Sequence, residues 1–166
     1  ITSDHGEELL EHGFVGHAST SLESSLYNEQ FRIPLIMRFP GEGYRRKEVA
    51  LKVSLIDVLP TVLDYLGIKG PQSLQGISLI PFIEDTTLKP ERPIFAEAST
   101  AGYQRPEEQE PVWEKAIIYE GWKLISRKEE GSLIYKLYNL KGDPEETNDL
   151  IDEEKETALK LQMRLG

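Results

Sequence analysis

All three histidines of the chain, His5, His12 and His17, fall in its first 17 residues, interleaved with Asp4, Glu7, Glu8 and Glu11. Imidazole titrates near neutrality and ligates metals, and carboxylates ligate hard divalent cations. No other stretch of the sequence combines histidines with carboxylates. Asp4 and His5 are adjacent, and in a loop both side chains can turn toward one cation. Oxygen donors suit Ca²⁺, Mg²⁺ or Mn²⁺, and a nitrogen donor shifts the choice toward Mn²⁺ or Zn²⁺. Two ligands do not complete a site, so further ones must come from elsewhere. Taken alone, Asp4-His5-Gly6 is also the pattern of a polar turn with a hydrogen-bonded histidine, and composition favours that simpler reading. His17, between Gly16 and Ala18, offers an anion-contacting or proton-donating group, or else a surface-loop histidine. His12 is read as setting local structure by hydrogen bonding. Glu7, Glu8 and Glu11 are read as a solvated face, with at most one hydrogen bond to a metal ligand.

The surrounding elements must position these groups. Ile1-Thr2 suits the end of a strand and Ser3 to Gly6 a polar loop at its carboxyl end, where open α/β sheets place their ligand sites. Such an opening, without Met, is read as a cut from a longer protein. Leu22 to Phe31 is expected to form a short helix or turn with Leu26, Tyr27 and Phe31 inward. Ile33 to Phe39, closed by Pro40-Gly41, reads as a buried strand, and residues 41–47 as a loop. Leu55, Val58, Leu59, Val62, Leu63 and Leu66 fall at helical spacing, so Ser54 to Gly67 is the clearest helix. Ser54 or Asp57 can cap its start, and Pro60 fits its first turn.

A short helix or turn is expected at Ile77 to Ile83, a strand at Pro93 to Glu97, and an exposed loop from Thr100 to Glu114. Lys115 to Tyr119, Trp122 to Arg127 and Leu133 to Leu140 read as an antiparallel meander, turning at Glu120-Gly121 and at Glu129 to Gly131. Trp122, Tyr135 and Tyr138 are expected to be core residues. Asp143-Pro144 signals a turn, and Thr157 to Leu165 an amphipathic helix using Leu159, Leu161, Met163 and Leu165.

Composition sets the limits. The 166 residues are 39% hydrophobic and 29% charged, an ordinary globular balance that excludes collagen-like and simply disordered chains. Nineteen basic against 29 acidic residues give a net charge of −10, which disfavours nucleic-acid binding. Eight of the acids lie between Asp143 and Glu156, against Lys155 alone, and read as a solvated turn and helix start. There is no cysteine, hence no disulfide or thiol nucleophile within these residues. No apolar run approaches the roughly 20 residues of a membrane span.

The order of short motifs resembles the sulfatase family of the alkaline phosphatase superfamily. The blocks are Thr2-Ser3-Asp4-His5-Gly6-Glu7-Glu8, Glu11-His12-Gly13, Gly16-His17, Leu26-Tyr27-Asn28-Glu29 and Arg32-Ile33-Pro34-Leu35-Ile36. Pro40-Gly41, Ser54 to Thr61, Gly76 to Leu79, Trp122 to Ile125, Leu137 to Leu140 and Asp143 to Asn148 follow. Each block is weak, but the ordered set spans nearly the whole chain.

The resemblance implies an α/β enzyme fold, α+β within this stretch. Residues 1–98 would end the large parallel-sheet catalytic domain, and residues 99–166 would form a small C-terminal subdomain with an antiparallel sheet and a helix. It implies metal-dependent hydrolysis of sulfate esters by the full-length protein. Asp4 and His5 match the family's metal-binding aspartate and the Asn or His after it. The implied cation is Ca²⁺, with Mn²⁺, Mg²⁺ or Zn²⁺ as alternatives. His17 matches a Lys or His that contacts the sulfate and the bridging oxygen. The implied nucleophile is a formylglycine in an upstream Cys/Ser-x-Pro-x-Arg motif, which is absent here. The chain alone is therefore expected to be inactive and to bind metal weakly.

The implied substrate is a small sulfate ester or a sulfated glycan. Histidine at position 17, where many sulfatases have lysine, keeps a phosphoryl-type relative open: a phosphoethanolamine or phosphoglycerol transferase, a phosphonate hydrolase or a phosphodiesterase. The segment from Ser19 to Ser25 also looks longer than is usual for the family. A non-catalytic interaction module is the third reading.

Overall fold

The computed structural model describes residues 1–17, 25–41, 43–44, 47–99, 113–129 and 131–166. Parts of the expected Leu22–Phe31 helix, the 41–47 loop and the turn after Glu129 lie outside the described residues, as do residues 100–112 of the expected loop. Contacts divide the chain into two compact units, one of Ile1–Leu35 with Phe95–Gly166, the other of Ile36–Ile94.

The first unit is built on a four-stranded sheet in the order β3 (Ile94–Ser99), β4 (Trp113–Tyr119), β5 (Trp122–Glu129), β6 (Ser132–Asn139). Trp113 and Glu114, expected in the loop, instead open β4. β4, β5 and β6 form the antiparallel meander, with Tyr119 opposite Trp122 and Glu129 opposite Ser132. Glu120 and Gly121 turn between β4 and β5 with φ of 53° and 89°, the left-handed pair of a type I′ turn, whose twist matches the flanking strands.

Both faces of this sheet are covered. On one, Ile117, Leu124 and Leu137 pack against Ala158 and Leu161 of helix α4 (Lys155–Leu165), with Trp122 and Tyr135 at the rim. On the other, Ala116, Ile125 and Tyr138 pack against Leu26 and Tyr27. The inward stripe of α4 thus runs through Ala158, Leu161 and Leu165, while Leu159 and Met163, expected inward, are exposed.

The acidic segment is not simply solvated. Asp143 accepts hydrogen bonds from Thr147 N (3.1 Å), Thr147 Oγ1 (3.1 Å) and Asn148 N (2.9 Å), closing the turn. Asp149 accepts from Leu137 N on β6, and Leu150 N donates to Leu137 O. Glu146 is fully buried. On β4, Glu114 sits opposite Arg127 with a 3.4 Å ion pair. Burial pushes its carboxyl up to about 7, against the pull of Arg127.

Among the described residues, the expected strand at Ile33–Phe39 shows an isolated antiparallel bridge, from Leu35 to Thr2. Ile33, Leu35, Met37 and Phe39 alternate in burial with their exposed neighbours, so the chain is extended there without a ladder.

The second unit contains a 3₁₀ turn (Leu55–Asp57) that runs into α2 (Val58–Tyr65), and α3 (Ile80–Glu84). Pro60 sits in the first turn of α2, where its missing N–H costs nothing. Asp57 is fully buried. It accepts from Ser54 N (2.9 Å) and Ile77 N (3.0 Å) and pairs with the Arg92 guanidinium. Thr61 donates to Asp57 O and accepts from Leu79 N. The apolar stripe expected to be core is split. Val58 and Leu63 are half-buried, whereas Leu55, Leu59, Val62 and Leu66 are exposed. Among the described residues no helix is long and apolar enough to cross a membrane.

Candidate active site

The first 17 residues fold back on themselves. Strand β1 (Glu8–Leu9) pairs antiparallel with β2 (Val15–Gly16), Glu8 opposite Gly16. The connection closes with Leu10 N to Phe14 O (2.9 Å) and Gly13 N to Leu10 O (3.1 Å). A hairpin with its ends at residues 7 and 17 brings together side chains that are ten or more positions apart. The His5 and His17 rings lie 4.3 Å apart between centroids, tilted by 38°. His17 Nδ1 is 2.6 Å from Glu7 Oε1. Asp4 flanks them, with Oδ2 at 3.7 Å from His5 Nε2.

His5 Nδ1 lies 2.8 Å from Gly6 O. A carbonyl oxygen only accepts, so Nδ1 carries the proton and Nε2 of the neutral ring keeps its lone pair. Asp4 is exposed at 88% of its side chain. Its carboxyl is held below the usual value by its own and the His5 backbone N–H, then by the His5 ring. The site therefore sets a carboxylate oxygen and an imidazole nitrogen side by side, in reach of solvent.

A buried frame holds these residues. Gly6 N donates to Gln30 O (2.9 Å), and a Cβ on Gly6 would lie 1.8 Å from Glu29 O, so only glycine allows this approach. Glu8, expected on a solvated face, is fully buried, accepting from Ser25 Oγ (2.5 Å) and Gln30 Nε2 (3.1 Å). It points inward because β1 alternates faces, putting Glu8 in and Leu9 out.

Gln30 belongs to the short helix α1 (Asn28–Phe31), and Glu146 secures its start by accepting from Asn28 N at 2.7 Å. Glu146 also pairs with Lys123 of β5 at 2.7 Å, both side chains having no exposure. Burial raises the Glu146 carboxyl, and Lys123 opposes the shift. The Glu146 carbonyl accepts from His12 Nε2 (3.2 Å), and the His12 ring stacks on Tyr27 at 3.7 Å. His12 thus takes the hydrogen-bonding place expected for it. Glu11 stays exposed and caps Leu9 N.

Sequence reasoning missed Glu8, Glu146 and Lys123 as parts of this frame. Glu8 and Glu146 lie among charged neighbours, where no local signal separates a buried charge from a solvated one, while Lys123 stands between Trp122 and Leu124.

Residues 22–165 match the family described as N-sulphoglucosamine sulphohydrolase, C-terminal. Arylsulfatase K of Canis lupus familiaris is 30% identical over 173 residues, covering 99% of this chain, which spans 29% of that protein's length. A solved structure of a protein in complex with its substrate D-glucosamine-2-N,6-O-disulfate is 29% identical with a TM-score of 0.65. It covers 99% of this chain, against 31% of its own. The phosphonate monoester hydrolase of Agrobacterium radiobacter is 26% identical with a TM-score of 0.70, covering 98% of this chain and 32% of its own. A match over nearly the whole chain shows that it belongs to the sulfatase family, as an N-sulphoglucosamine sulphohydrolase C-terminal region of the alkaline-phosphatase-like fold.

Proposed function

We propose that the full-length protein is a metal-dependent hydrolase of sulfate esters, to which this chain contributes one flank of the active site. Residues 1–98 would complete the catalytic α/β domain, and residues 99–166 would form the small subdomain. One observation carries the proposal: the hairpin sets a metal-ligand pair, Asp4-His5, beside His17, whose ring is 4.3 Å from that of His5.

The donor set fits a divalent cation. Asp4 offers a carboxylate favoured in its ionised form, and His5 Nε2 keeps its lone pair because Nδ1 donates to Gly6 O. Asp4 and His5 would hold the ion, proposed as Ca²⁺, with the remaining ligands from outside residues 1–166. A bound cation there supplies neutralisation of charge on a sulfate oxygen.

His17 is the proposed acid. The Glu7 carboxylate at 2.6 Å from Nδ1 fixes the orientation of the ring. Glu7 is then a positioning residue. The nucleophile, a formylglycine, would come from outside residues 1–166. The substrate proposed is a sulfated glucosamine unit, by likeness to the protein solved with that ligand.

A second reading, phosphonate or phosphate ester hydrolysis, is favoured by histidine at position 17 and by the likeness to a phosphonate monoester hydrolase.

The test assays the full-length protein on an aryl sulfate, a sulfated glucosamine and an aryl phosphonate monoester. Sulfate turnover is expected, with His17→Ala and Asp4→Ala each lowering kcat/KM by about 10²–10³. Unchanged sulfate turnover in both variants would overturn the site assignment. Preference for the phosphonate would establish the second reading.

A further inference from the structure

His5, Glu7 and His17 each present one donor atom, and the three atoms lie within 4.8 Å of one another. We propose that these residues form a binding site for a borderline transition-metal ion such as Zn²⁺ or Co²⁺, distinct from the Asp4-His5 pair in its ligand set. Two imidazoles and one carboxylate are the donors such ions select over Ca²⁺, and three protein ligands plus water complete a tetrahedral site.

The His17 Nδ1 to Glu7 Oε1 edge must open from 2.6 Å, and the longest edge must shorten. Tetrahedral ligands at Zn–N and Zn–O distances of about 2.0–2.1 Å stand about 3.3 Å apart. The longest edge must therefore contract by about 1.5 Å from the 4.8 Å spread. The side chains have room to do so, since those of His5, Glu7 and His17 are 41%, 50% and 27% exposed. His5 is already oriented in the manner of metal-bound histidine, with one ring nitrogen donating to a backbone carbonyl. The ion takes the place of the proton between His17 Nδ1 and Glu7 Oε1, and that proton passes to solvent. The hairpin β1–β2 supplies the backbone constraint that holds Glu7 near His17.

One consequence concerns the proposed enzyme. Such an ion takes both His5 and His17, removing a cation ligand and the acid together. Zn²⁺ would then inhibit by occupying the site.

The experiment titrates the full-length protein with Co²⁺, read by its visible absorption, and with Zn²⁺, read by the histidine ring resonances. One equivalent of Co²⁺ should give a tetrahedral band. Zn²⁺ should move the His5 and His17 signals and leave His12, engaged with Glu146 and Tyr27, in place. His17→Ala and Glu7→Gln should each weaken Co²⁺ binding about 10-fold or more, and by more than Asp4→Asn does. Far-UV circular dichroism of each variant checks that the fold survives. No saturable band, or binding lost in Asp4→Asn but kept in His17→Ala, would overturn the proposal. Because this readout uses neither sulfate turnover nor Ca²⁺, it can fail while the sulfatase assignment stands, and the reverse.

Discussion

Each of the two compact units is organised by one buried carboxylate, and the two differ in how they could be seen. Asp57 holds Ser54 N, Ile77 N and Arg92, gathering three segments of Ile36–Ile94. Glu146 holds Asn28 N and Lys123 with its side chain and His12 with its carbonyl, gathering three segments of the other unit. Asp57 sits three residues after Ser54 at a helix start, a pattern with a local mechanism. Glu146 sits in a turn at a φ of 54° amid other acids, and its partners are more than 20 residues away. Arg92 remains 22% exposed, whereas Lys123 has no exposure. A carboxylate that serves its own helix is legible. One that serves remote backbone is visible only in the fold.

This contrast can be broken by mutation. The largest effect is expected at Glu146→Ala, which removes the carboxylate paired with the fully buried Lys123. A loss of about 3–5 kcal/mol in urea unfolding is expected, with part recovered in the double variant Lys123→Met, Glu146→Leu. A loss below about 1 kcal/mol would mean that water replaces the pair. Asp57→Ala should cost about 2–3 kcal/mol, because Arg92 can reach solvent while the backbone donors lose a charged acceptor. If the two losses were equal, burial of the cation would not be what separates the hubs.

Gly6→Ala should cost about 1–3 kcal/mol, since the methyl meets Glu29 O and the backbone must shift. In the full-length protein it should reduce kcat with little change in KM if Gly6 positions His5. Unchanged kcat would detach the frame from the site.

The last test is a pH slope. Glu114 has a folded-state value near 7, above its ordinary 4.5. Between these the folded state binds more protons, so stability falls as pH rises, by at most about 1.4 kcal/mol per pH unit, and is flat above. Glu114→Gln should remove that slope in melting curves taken from pH 4.5 to 7.5. A slope that persists would assign it to another group.

Much of the scaffold follows from local rules. The meander, the Glu120-Gly121 turn, the α2 start at Ser54–Asp57 and the Asp143 turn each have signals within a few residues. The misses share a cause. Ile33–Phe39 has strand chemistry, yet a ladder needs partners that no local pattern specifies. Leu59 and Val62 have core chemistry but stand exposed, while Leu159 and Met163 are displaced by the Ala158–Leu161–Leu165 stripe. For the site, Asp4, His5 and His17 were named from type and family likeness. That Glu7 would meet His17, and that Glu8 would turn inward, depends on hairpin register. A one-residue slip would exchange their faces.

Glu146 also sets a timetable. Its bonds to Asn28 and His12 close loops of 118 and 134 residues, among the longest separations this chain allows. Loops of that length form late, because the chain entropy of closing them is spent before any contact returns it. During synthesis the histidine-bearing segment emerges more than a hundred residues ahead of the group that anchors it. Its histidines therefore wait in an unfastened chain until β6 and the acidic turn arrive.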